Sequence, residues 1–428
     1  MIDGPLRLKF MDPHEAFLHD IAADLEDDLP RLIYADWLDE QGDPRGEFIR
    51  VQCELAQVPN DDSRWDALKE REQELYELHH HDWEIPFRQF EMTDWRFERG
   101  FVEAATVKLG GSVENIRTLF QKVPTIRELK CEGRRVHGVF SEVIASHFME
   151  KITHLDLSQC HLGSQLIKSL VTLAPLQNLQ SLDLSYNSLG DTGLEWVMNR
   201  GQLSSLRSLK LNGNSLAEPA LDLLAQSTLL AQLEELSLED IELDDLGLAR
   251  FSSSEKPSSL RSLSLARNRI TREGMNYFAR NIECPQLLCL SFWNNPIQDA
   301  GVAALAESPT FSELQHLNLA GCDLTSQGLR SIVRSPYLQN LISLSLYHFS
   351  IHNFSLIVYR YSYRDIWSER DTLHQYLIQE PWFDRLEFID LRDRMHQPPH
   401  EKLRQRFEGR QVSEDTPPGW MLNYRTLR

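Results

Sequence analysis

From residue 152 onward the apolar positions fall into a fixed spacing, L-x-x-L-x-L-x-x-[N/C]-x-[L/I]. It begins at Ile152, Leu179, Leu206, Leu233, Leu260, Leu287, Leu314 and Leu341, a strict 27-residue period. The fourth position is leucine throughout, from Leu155 to Leu344, and the sixth is leucine with Phe292 as its exception. Alternation in L-x-L puts two leucines on one face of a short strand. The later half of each unit carries helical spacing, as in Leu194, Val197 and Met198 after Gly193. Each unit therefore predicts a strand, a turn and a helix, and no unit can bury its leucines alone. Stacking is obligatory, so the expected fold is an α/β solenoid with a parallel sheet inside and helices outside.

A solenoid also needs its ends covered. Upstream, Ile126, Leu129, Cys131 and Val136 form a degenerate unit, and Phe101, Val102, Ala105 and Val107 suggest a further strand. Downstream, Leu386, Ile389 and Leu391 restore a strand after an insertion that contains Tyr359, Tyr361, Tyr363 and Trp367. A helix near 399–407 and the Val412 segment are expected to close the stack. The first 100 residues read as helices: Pro13, Pro30 and Pro44 each suit the first position of a helix, Gly42 suits a helix end, and a longer helix is expected over 62–80. The resulting division is an acidic helical module at 1–98, a cap with the degenerate unit at 99–151, eight repeats at 152–355, and an insertion, capping unit and tail at 356–428.

These repeats resemble leucine-rich repeats, specifically the long helical subtype typified by ribonuclease inhibitor. The resemblance implies a horseshoe with a concave strand face and a ladder of Asn or Cys side chains bonding backbone between turns, here Cys160, Asn187, Asn214, Asn268, Asn295 and Cys322, interrupted at Ile241 and Phe349. The run from Arg31 to Glu40, followed by Gly42-Asp43-Pro44-Arg45-Gly46-Glu47-Phe48-Ile49-Arg50, looks like the repeat-companion domain found ahead of such repeats in bacteria. That resemblance implies no activity.

Charge narrows the partners. Lys and Arg number 44 against 64 Asp and Glu, a net −20, and residues 1–100 hold 26 acidic and 11 basic side chains, so −15 lies in the first quarter. Such a surface repels phosphate backbones and anionic headgroups, so neither nucleic acid nor membrane is expected as a partner. There is no signal-peptide pattern and no CxxC pair, which points to a cytoplasmic protein with reduced thiols.

Catalytic motifs are missing: no P-loop, HExxH or GxSxG occurs. The sharpest catalytic candidate is Cys289, because it and His316 occupy the same position on adjacent units, within reach of a thiol to imidazole bond. Asp36, Asp39, Glu40 and Asp43 near Arg31, Arg45 and Arg50 read as caps and ion pairs rather than a metal site, and His79-His80-His81 as a polar helix end. No cofactor or metal is expected. The strand face carries the stronger signal. Small outward residues such as Ser181, Ser208, Ser262 and Ser291 surround Tyr186, Arg267, Trp293, His316 and Tyr347, with Glu235, Glu239 and Asp240 near the middle. Trp, Tyr and Arg dominate interface energies. The expected function is a non-enzymatic scaffold that binds a protein on this face. The alternatives are an enzyme using Cys289 and His316, or, by fold analogy, a regulator of a small GTPase.

Overall fold

The computed structural model describes residues 12–346, except 60, 91, 109–112, 134–143, 145, 200–202, 217 and 254–256, together with the backbone of 388–390. The chain forms two compact units, Met1–Cys160 with Leu173–Leu179, and His161–Thr172 with Gln180–Arg428.

In the first unit, helix α1 spans Pro13–Ala23, α2 Leu29–Glu40, α3 Arg45–Gln57 and α4 Trp65–Glu84. Their starts follow local chemistry. The Asp12 side chain accepts the His14 backbone N–H, and the Asp43 Oδ1 accepts that of Arg45 at 2.9 Å. The core between them holds Ile21, Tyr34, Ala35, Leu38, Ile49, Cys53 and Phe101. At Gly46 a Cβ would lie 2.6 Å from the Ala35 carbonyl, so only glycine lets α2 and α3 cross this closely. Arg50 pairs with Asp36 at 3.2 Å and with Asp39. The companion-like motif is thus consumed largely in caps, close packing and ion pairs. Arg31 is fully buried and donates to Glu103 Oε1 and to the Leu25 carbonyl, both at 2.8 Å, while Arg127 holds the other oxygen of Glu103.

The strands of this unit are β1 (Met92–Glu98), β2 (Phe101–Lys108), β3 (Glu128–Glu132) and β4 (His154–Asp156). β1 runs antiparallel to β2, and the β2–β3 and β3–β4 pairs are parallel. The helical character expected up to residue 98 therefore ends earlier, at the β1 strand. Val136 lies outside the described residues.

The second unit is built on the repeat. Its strands are β5 (Ser181–Asp183), β6 (Ser208–Lys210), β7 (Glu235–Ser237), β8 (Ser262–Ser264), β9 (Cys289–Ser291), β10 (His316–Asn318) and β11 (Ser343–Ser345), each parallel to the next in the register Leu182↔Leu209 through Leu317↔Leu344. β12 (Phe388–Asp390) adds to β11 with Leu344 opposite Ile389. The central leucines, from Leu182 to Leu344, are at most 2% exposed. This unit is the leucine-rich-repeat solenoid that the spacing predicts, preceded in the chain by a helical region. The insertion with Tyr359 to Trp367, the helix expected near 399–407, Val412, Leu386, Leu391 and Phe349 lie outside the described residues.

Two side-chain systems join neighbouring repeats. Asn268 Oδ1 accepts the backbone N–H of Ile241 and Leu243, both at 3.1 Å, while its amide donates to the Leu238 and Leu265 carbonyls. Asn187, Asn214 and Asn295 are buried and bond in the same way, and the Cys160 and Cys322 thiols donate to the Cys131 and Phe292 carbonyls. On the helical side, Asp245 accepts from the Thr271 backbone and hydroxyl, and Asp299 from the backbone N–H groups of Thr325 and Gly328. Each aspartate thereby caps the helix one repeat further on.

Candidate functional site

The turns that leave β5 to β10 have a left-handed residue at the same position: Tyr186, Gly213, Asp240, Arg267, Asn294 and Gly321, with φ between 54° and 69°. One such residue falls in every repeat whose turn is described, from Tyr186 to Gly321. From Tyr186 to Asn294 the backbone N–H of each turn residue bonds a carbonyl of the next repeat, as Arg267 does to Trp293 at 2.6 Å and Asp240 to Ala266 at 3.0 Å. The conformation is disfavoured for residues with a Cβ, and a hydrogen bond to the next repeat offsets that cost at each step. The column carries Tyr186, Asp240, Arg267 and Asn294 along one edge of the strand face. A Cβ on Gly213 would land in the Tyr186 ring, so the tyrosine lies across this glycine.

Tyr186 is 44% exposed and Trp293 is 37% exposed. The Arg267 guanidinium sits 5.8 Å from the Trp293 ring centroid and 4.0 Å from Asp240 Oδ2. An exposed ion pair contributes roughly 0–1 kcal/mol and an exposed cation–π contact about 0.5–1 kcal/mol, enough to orient these side chains without locking them.

The acidic residues below the ridge are held by hydroxyls. Ser264 donates to Glu239 Oε1 at 2.6 Å and Ser208 to Glu235 Oε2 at 2.7 Å, with Lys210 3.9 Å from Glu235. Asn212, which sequence reasoning passed over, accepts from the Ser237 hydroxyl and the Glu239 N–H. Asn294 was also missed; its one signal is its place in the same repeat column as Tyr186 and Arg267.

Cys289 and His316 are directly opposite in the β9–β10 pair, as their common repeat position predicts. Both were expected to point outward from the sheet, and their repeat position does not reveal how deeply they are covered. His316 is 5% exposed and Cys289 is half-buried. Burial pushes the Cys289 thiol up to about 12 and the His316 imidazole down to about 4. A thiolate–imidazolium pair needs both shifts in the opposite direction. Tyr347 lies outside the described residues, so the ridge runs from Tyr186 to Trp293.

No group of three or more His, Cys, Asp or Glu that could hold a metal ion occurs among the described residues, and no described helix is long and apolar enough to cross a membrane. An open groove of about 670 Å³ lies on the helical side, lined by Asp222, Gln226, Leu246, Arg250, Ser253 and Tyr277 among others.

No curated protein matches the chain. Among solved structures, one described as a TLR13–ssRNA13 complex is 20% identical, with a TM-score of 0.35, over 58% of this chain and 37% of that one. This chain thus matches little more than a third of the length of that neighbour. Residues 176–195, 256–279 and 313–333 match the family described as Leucine Rich repeat, so the chain carries leucine-rich repeats in the unit where parallel strands recur with the sequence period.

Proposed function

We propose that the strand face of the second unit is a recognition surface for a protein partner, and that Tyr186, Glu235, Glu239, Asp240, Arg267 and Trp293 form its contact ridge. The observation that carries this reading is the exposure of Tyr186, in the column of turns, and of Trp293, one position before it, above a floor of serines, with the Arg267 guanidinium over the tryptophan ring. Solvent contact is unfavourable for such rings, and a partner that covers them gains hydrophobic burial with little side-chain ordering cost. Tyr347 is read as part of the same surface from its repeat position alone, and the buried His316 is left out of it.

The reading is of a non-enzymatic scaffold in the cytoplasm. All six cysteines are free thiols, in keeping with a reducing compartment, and the Cys289–His316 pair is tuned away from nucleophilic chemistry. The helical unit is read as the companion module of bacterial leucine-rich-repeat proteins, on the motif from Arg31 to Arg50.

The test compares Trp293→Ala with the parent. The variant is expected to keep its melting temperature, because the ring packs outside the repeat core. It is also expected to lose roughly thirtyfold in affinity for a partner isolated with the parent, equivalent to about 2 kcal/mol. Equal partner recovery by both proteins removes the ridge from consideration.

A further inference from the structure

Helix α2 has two sides with opposite fates. Arg31, Tyr34, Ala35 and Leu38 are buried, and the pitch of an α-helix puts all four on one side. Leu29, Ile33, Asp36 and Glu40 fall within about 60° of one another on the opposite side, and all four are exposed. Leu29 is 61% and Ile33 50% exposed, about one turn apart, and Leu32 and Trp37 on their flanks are only partly covered. A single outward leucine is ordinary. Leu78 on α4 is such a case, since the exposed acids Glu74 and Asp82 stand one turn before and after it. On α2 the two apolar side chains are neighbours and form one water-facing patch.

Beyond Ile33 the same stripe turns acidic. Residues 20–43 hold nine acidic side chains and one basic one, Arg31, which is fully buried. Asp36, Asp39 and Glu40 lie in or beside the last turn of α2, which contains no basic residue, so their charges oppose the helix dipole there. Arg50 serves both Asp36 and Asp39, and the three acids outnumber it.

We propose that the outward stripe of α2 docks a basic amphipathic helix of a protein partner. Two apolar side chains of the partner, one turn apart, cover Leu29 and Ile33, and lysine or arginine beyond them faces Asp36 and Glu40. Such a helix removes apolar surface from water and places positive charge where the α2 dipole favours it. A second copy of this chain would instead set acids against acids, and phosphates or anionic lipids meet the same repulsion. This face lies in the first unit and does not depend on the strand-face ridge.

The test uses the full chain and a synthetic helical peptide of leucine and lysine, with the leucines on one stripe. One control peptide has the same composition in scrambled order, and another has glutamate in place of lysine. The Ile33 methyl resonance is expected to shift along a saturating curve. Affinity is expected to fall roughly tenfold or more for either control peptide, and for the double variant Leu29→Gln with Ile33→Gln. Leu78→Gln, altered at the exposed leucine of α4, is expected to bind as the parent does. An Ile33 methyl that stays put while the peptide binds overturns the proposal, and this reading needs only the parent protein should the double variant fail to fold. Equal affinity of the double variant, or of the scrambled peptide, overturns it as well. Parent dimers that the double variant loses, or binding of the parent to phosphatidylserine vesicles that the double variant loses, assign the face to another occupant and likewise overturn it.

Discussion

The Cys289 thiol and the His316 imidazole show how one pair of adjacent positions acquires opposite tendencies. Raising the thiol from 9.0 to about 12 leaves roughly a thousandth of the ordinary thiolate near neutral pH. Alkylation of Cys289 in the native protein is expected to be slower than that of a free thiol by that order, and a rapid reaction at pH 7.5 restores the enzyme alternative. For His316 the folded state resists protonation down to about pH 4, while the unfolded chain takes a proton near 6.5. Stability from this group is therefore complete above pH 6.5 and is lost as pH falls toward 4, by about 3 kcal/mol at most. Urea midpoints measured across that range should fall less steeply in His316→Gln than in the parent. Asn268 is sensitive for a different reason. Truncation to alanine leaves the Ile241 and Leu243 N–H groups buried without acceptors, an expected loss of about 2–4 kcal/mol in chemical denaturation. A midpoint unchanged in Asn268→Ala contradicts the ladder.

At the scale of elements, the leucines of each strand are sealed by repeats on both sides. Leu263, 1% exposed, is expected to cost about 2–5 kcal/mol as alanine, since the rigid stack cannot collapse onto the cavity. An unaltered unfolding transition would refute burial at that position. The same sealing made β5 to β11 legible in the sequence, because both the period and the identity of each inward residue are constrained. β1 was not legible. Of its seven residues, Phe97 alone is buried, and register shifts between Met92 and Asp94 and between Arg96 and Phe97 break the alternation that marks a strand. The ridge was legible only in part. Tyr186, Arg267 and Trp293 stood out by residue type. The left-handed turns that display this column were hidden, since glycine marks them at Gly213 and Gly321 but tyrosine, aspartate, arginine and asparagine hold the same conformation elsewhere in it. For His316, alternation gave the correct face and register but carried no information about depth, and the side chain is buried.

At the scale of the molecule, the second unit should behave as a one-dimensional array, in which each repeat is stabilised by itself and by its immediate neighbours. The contacts that join repeats have this range. Asn268 reaches from its own repeat to the Ile241 turn, Asp299 to Thr325, and each strand pairs with the next in register. The consequence is measurable by comparing double substitutions. Leu236 and Leu263 face each other across the β7–β8 pair, so alanines at both share one cavity, and their combined effect should depart from the sum of the single effects by about 0.5–3 kcal/mol. Leu182 and Leu317 stand five strands apart, roughly 24 Å at about 4.8 Å per strand, and share no partner. Their effects should add to within about 0.5 kcal/mol. Denaturant melts of the four single and two double variants decide the matter. Strong coupling between Leu182 and Leu317 means that the repeats fold as one indivisible core, and additivity between Leu236 and Leu263 means that neighbouring repeats do not support each other. Either result contradicts a solenoid held together by nearest-neighbour contacts.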